Sequence, residues 1–154
     1  MQDNKIITIT LSVLLGIFLQ VLLIFGDMQD SPNKAVLEFT KAYFKYDKAG
    51  MADRLCKAGD AEMLDKYVSY GEKEARERGF SVWYLGKKLY NPQTYIQSGD
   101  YTKATIYLKC EVAPPLRSFF TQESLRHVHQ TFEVVKEDGK WKVCGNGNLF
   151  AMAD

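Results

Sequence analysis

His127 and His129 stand two residues apart, a spacing that puts two imidazoles on one face of a β-strand, as metal ligands often are. A zinc site needs three or four nitrogen, sulfur or oxygen donors, and only Thr131 and Glu133 continue that face. Val128, Phe132 and Val134 occupy the alternate face, so the histidines look away from an apolar side. The pair reads as a polar sheet surface or interface pair, and no metal site is expected.

Three cysteines, Cys56, Cys110 and Cys144, are too widely spaced for a zinc motif, and no C-x-x-C-H haem attachment is present. In an oxidising compartment two of them can pair and leave one thiol free. Cys110 and Cys144 both fall in strand-like segments and form the candidate disulfide; three buried, unpaired thiols are the competing reading. Tyr43, Tyr67, Tyr84, Tyr95 and Tyr107 could donate protons, but acid–base chemistry also needs a carboxylate or histidine base held beside them. Asp53, Asp60 and Asp65 read as helix-end or surface residues, so no catalytic residue is assigned and no enzyme is expected. Gly145-Asn146-Gly147-Asn148 follows a hairpin strand and makes no phosphate-binding loop. No cofactor is expected.

The element that must position everything else is an apolar run from Ile6 to Phe25 without a charged residue. At about 1.5 Å per residue such a run matches a bilayer's hydrocarbon core of about 30 Å. A cleaved signal peptide would want a basic start, a shorter apolar stretch and a small-x-small cleavage site; MQDNK and IFGDMQDSP supply none of these. The reading is therefore a cytoplasmic tail over 1–5, a transmembrane helix over 6–25, a linker over 26–31 and an extracytoplasmic domain over 32–154. Lys5 before the run, against Asp27 and Asp30 after it, favours the N-terminus inside. In a Gram-negative source the domain would be periplasmic. Thr8, Ser12, Gly16 and Gln20 recur at four-residue spacing along one ridge, where small residues allow a second membrane helix to approach and polar ones can bond across.

About 120 residues remain, the size of one domain. A quarter of the chain is charged and 13% aromatic, a composition that folds. A net charge of +1, with acids and bases interspersed as in GEKEARERG, gives no reason to expect nucleic acid. Ser31-Pro32 predicts a helix start and Gly50 its end; a short helix over Met51–Lys57 stops at Gly59. Asp60 is expected to cap a third helix over Ala61–Arg78, with Leu64, Tyr67, Val68, Gly71 and Ala75 inward. Strands are predicted over Phe80–Tyr90, broken by Asn91-Pro92, then Tyr101–Val112, Leu125–Lys136 and, through a D-G turn, Lys140–Cys144. The class is α+β: a single transmembrane helix, then three helices packed on a curved antiparallel sheet.

The opening SPNKAVLEFTKAYFKYDKAGMADRL and the closing FEVVKEDGKWKVCG resemble the first helices and final hairpin of NTF2-like (cystatin-like cone) domains. The resemblance spans Ser31 to about Phe150 and implies a cone with a pocket between helices and sheet, and often a homodimer through the open sheet face. That superfamily includes enzymes, adaptors and membrane-anchored assembly proteins, so the fold leaves function open. Leu116, Phe119 and Phe120, beside Pro114-Pro115, form a candidate contact for a partner or for membrane lipid, or else cover the sheet's own edge. The expected function is a non-catalytic accessory or assembly subunit whose partners are other membrane proteins; the alternatives are a tethered small-ligand binder and an anchored enzyme.

Overall fold

The computed structural model of the protein describes residues 2–114 and 125–144. It divides into two units, 1–30 and 31–154.

The first unit is one helix, α1 (Gln2–Met28). Within it, Lys5–Ile24 is long and apolar enough to cross a membrane, and none of that stretch is buried against protein. A helix so largely apolar and without protein cover is suited to lipid.

The second unit opens with α2 (Pro32–Lys45). Ser31 caps it as expected, its hydroxyl accepting from the Lys34 amide at 3.1 Å, with Pro32 in the first turn. The helix stops short of Gly50. Tyr46 turns left-handed at φ 57° and closes the helix by donating to the Ala42 and Tyr43 carbonyls. Asp47 then caps α3 (Lys48–Arg54) through the Gly50 amide, so Gly50 lies inside the second helix rather than ending the first. A tyrosine in that conformation is strained, and packing offsets the strain: its ring stacks on Tyr67 at 5.0 Å.

In α4 (Ala61–Glu77), Asp60 accepts from the Met63 amide, Leu64, Val68, Gly71 and Ala75 are buried, and Glu62–Lys66 pair outside, as the pattern implied. Beyond Gly79 the expected strand over Phe80–Tyr90 is replaced by a 3₁₀ turn, Val82–Leu85. Strand β1 (Lys88–Gly99) starts later and runs through Asn91-Pro92. Proline is tolerated because β1 is an edge strand and its register with β2 (Lys103–Ala113) slips between Tyr90 and Gln93, a bulge with Asn91 at φ 48°.

The sheet is an antiparallel meander, β1-β2-β3-β4, with β3 at Arg126–Glu137 and β4 at Lys140–Cys144. Asp138 and Gly139 both take positive φ, the geometry a two-residue D-G hairpin needs. Ala104, Ile106, Leu108, Cys110 and Val112 of β2 face Phe132 and Val134 of β3 and the helices, making one core with Phe39, Tyr43, Met51 and Leu64.

Candidate functional site

Phe39, Tyr43, Met51, Ile106, Leu108 and Phe132 have no exposed surface, and Phe39 meets Phe132 edge to face at 6.5 Å. These side chains pack the core between the helices and the sheet. The buried polar and charged side chains among the described residues are Thr40 and Arg54, neither an acid nor a histidine. Tyr67 donates its hydroxyl to the Tyr43 carbonyl at 3.1 Å while its ring stacks on both Tyr43 and Tyr46. Burial pushes the Tyr67 and Tyr46 hydroxyls above the usual tyrosine range.

Arg54, only 5% exposed, is held by the Glu38 carboxylate, which accepts from Nε at 2.7 Å, and by the Trp141 carbonyl at 3.0 Å. One guanidinium thus ties α2, α3 and β4. The bridge is structural, and nothing in the residue spacing announced it.

The disulfide expectation is corrected. Cys56 pairs with Cys144, with Cα atoms 5.3 Å apart, and Cys110 is a buried free thiol. Cys110 sits opposite Val128 on β3, which lies between β2 and β4 and keeps Cys110 and Cys144 on non-adjacent strands. Cys56 follows α3, where its amide donates to the Val143 carbonyl at 3.0 Å and the backbone is already beside β4.

On the outer sheet face the Tyr107 hydroxyl lies 2.9 Å from His129 Nδ1, and the Tyr95 hydroxyl donates to Gln93 at 2.9 Å. His127 Nδ1 stands 3.6 Å from the Glu111 carboxylate. The two histidines are therefore engaged with different neighbours, and no group of three ligating side chains exists among the described residues. This face is polar and aromatic, the kind of surface the strand alternation implied.

Helices on one face of a four-stranded antiparallel meander make the fold α+β. Among solved structures the chain is similar to one described as an NTF2-like transpeptidase from Campylobacter jejuni, at 13% identity, covering 75% of this chain and 100% of that one with a TM-score of 0.42. No family model matches the sequence. No curated protein matches it either.

In α1, the Ser12 hydroxyl donates to the Thr8 carbonyl and Thr10 to Ile6, each at 2.9 Å. Nothing lies within 4 Å of a Cβ built on Gly16. Of the polar members of the ridge, Ser12 is thus satisfied within its own helix, whereas Gln20 has no such local bond among the described residues. Leu116, Phe119 and Phe120 lie outside the described residues.

One feature escaped the strand reading of Phe80–Tyr90. Phe80, Trp83 and Tyr84 form an exposed edge-to-face chain, with centroids 6.0 Å (Phe80–Tyr84) and 5.2 Å (Trp83–Tyr84) apart. The signal available in the sequence was an aromatic run ending in Gly86-Lys87-Lys88.

Proposed function

We propose that this chain is a non-catalytic accessory or assembly subunit of a larger membrane protein complex, held by α1 and acting through the surfaces of its NTF2-like domain. The observation that supports it most is the interior: the domain's core is packed with apolar side chains, and among the described residues its buried polar side chains are Thr40 and Arg54. Within that buried core no carboxylate or histidine stands beside a tyrosine among the described residues. Outside, the chain presents an apolar helix without protein cover, and a sheet face carrying Tyr95, Tyr107, His127 and His129.

The domain is extracytoplasmic in this reading, periplasmic in a Gram-negative cell, with residues 1–5 in the cytoplasm. The Cys56–Cys144 bridge supports that side, because disulfides persist in oxidising compartments. A second copy meeting through the outer sheet face is a further proposed partner.

Purification of the full chain in mild detergent, followed by identification of bound proteins, tests the proposal. The expected outcome is stoichiometric membrane subunits that are lost from Gly16→Leu or Gln20→Leu. A chain that purifies alone and turns over or binds a small molecule overturns it.

A further inference from the structure

At the far end of α2 the domain carries a depression of ≈ 230 Å³ lined by Lys45, Trp83, Gly86, Lys87 and Lys88. Gly86 makes it possible: a Cβ there would stand 3.1 Å from the Trp83 carbonyl and 3.6 Å from the Lys45 Cα. The Lys87 amide then donates to the Phe44 carbonyl at 2.7 Å, fastening the 3₁₀ turn to the helix end. Lys45, Lys87 and Lys88 line this depression, Lys88 with its ammonium also over the Tyr90 ring at 5.7 Å, and among the described residues no carboxylate forms an ion pair with any of the three. Glu74, the acid whose charge Lys87 feels, is already bonded to Arg78, and Arg126 adds a further positive charge nearby. Beside them stand Phe80, Trp83 and Tyr84, with Trp83 69% exposed.

Lysines without a carboxylate partner among the described residues, next to exposed Trp and Tyr, are the composition of a bilayer interface, where rings sit among headgroups and ammonium groups meet lipid phosphates. We propose that this depression binds the anionic phosphate headgroup of a membrane phospholipid, with Trp83 and Tyr84 entering the interfacial layer. Lipid is chosen over a soluble anion on two grounds: the charge complementarity of Lys45, Lys87 and Lys88 to an anionic surface, and the exposed Trp83 and Tyr84 beside them, rings that a soluble anion would leave in water. The proposal rests on α1 lying in lipid.

The chain has two tryptophans, and Trp141 is buried, so subtracting the emission of a Trp83→Phe variant isolates Trp83. The full chain is placed in nanodiscs of phosphatidylcholine alone or with phosphatidylglycerol, each with plain or brominated acyl chains. Trp83 emission is expected to fall at least about twofold with brominated lipid when phosphatidylglycerol is present. Reversing Lys45, Lys87 and Lys88 to Glu should abolish that loss, each ammonium near an anionic surface contributing about fivefold in affinity. Unchanged Trp141 emission checks that the reversed variant is folded. Equal emission with plain and brominated lipid overturns the proposal, as does equal quenching without phosphatidylglycerol. A Trp83 change produced by millimolar inorganic phosphate in phosphatidylcholine discs, equal to that of phosphatidylglycerol, assigns the site to a soluble anion and also overturns it. Co-elution of the chain with the discs reports separately on α1, so failure of the anchor is told apart from failure of the headgroup site.

Discussion

Cys56 and Cys144 are 88 residues apart in sequence and joined by a disulfide that fixes the end of α3 against the last strand. Closing so long a loop restricts the unfolded chain, which by chain-entropy reasoning corresponds to about 4–5 kcal/mol, with measured losses for small secreted domains of about 2–5 kcal/mol. Cys56→Ser should therefore lower the urea midpoint steeply and remove the wild type's sensitivity to reductant. Cys110→Ser should leave that sensitivity intact, a contrast that equilibrium unfolding with and without dithiothreitol reads directly.

Cys110 is buried and its thiol is pushed up to about 11 by desolvation, with Glu111 adding to the effect. The native protein should resist alkylation at pH 8, and one thiol should label in denaturant without reductant. The sign of the linkage follows from proton counts. Between pH 9 and about 11 the unfolded thiol loses its proton while the folded one keeps it, so the folded state binds more protons. Stability should fall as pH rises across that window, and the raised hydroxyls of Tyr46 and Tyr67 push the same way at higher pH. Urea midpoints that stay flat from pH 8.5 to 11 would contradict this.

Glu38 and Arg54 are unequal partners, the carboxylate 43% exposed and the guanidinium nearly buried. Solvent screens the pair's attraction, but removing the acid takes from a buried cation its anionic partner, with the Trp141 carbonyl a neutral acceptor that remains. Glu38→Ala should cost about 1–3 kcal/mol, and Glu38→Ala with Arg54→Met should recover part of it, because apolar replacement of a buried pair is often tolerated. A double-mutant cycle by urea unfolding measures both.

Gly71 lets the Tyr46 ring lie on α4; an added Cβ would stand 2.4 Å from that ring. The ring cannot move away without leaving its stack on Tyr67, which itself stacks on Tyr43 at 4.3 Å. Gly71→Ala should therefore destabilise by about 1–3 kcal/mol, as overpacking does, and diminish the tyrosine near-ultraviolet dichroism.

On α1, Ser12 already donates to the Thr8 carbonyl, so Ser12→Ala should leave partner recovery unchanged while Gln20→Leu reduces it. Equal losses from both would place the ridge's contribution in shape and not in hydrogen bonding.

What could be read along the chain was local in its physics. Ser31 and Asp60 cap the helices that follow them because a side-chain oxygen reaches an amide three residues on. Asp138-Gly139 makes a hairpin because those two residues accept positive φ. The apolar stretch within α1 and the alternation of β2 follow from side-chain period alone. The partner of Cys56 is of another kind, decided when α3 settles beside β4, and no local rule carries a contact 88 residues long. Asn91-Pro92 is a strand break by propensity, yet β1 passes through it, because an edge strand has one side without a ladder to interrupt and a bulge absorbs the proline. Tyr46 ends α2 four residues before Gly50 for a similar reason: Tyr67 stacks its ring and Gly71 makes room for it, both contributed by a helix that comes later in the chain. Local chemistry chose the elements, and packing between distant segments chose their ends, the disulfide, and which aromatic and basic side chains were left outside.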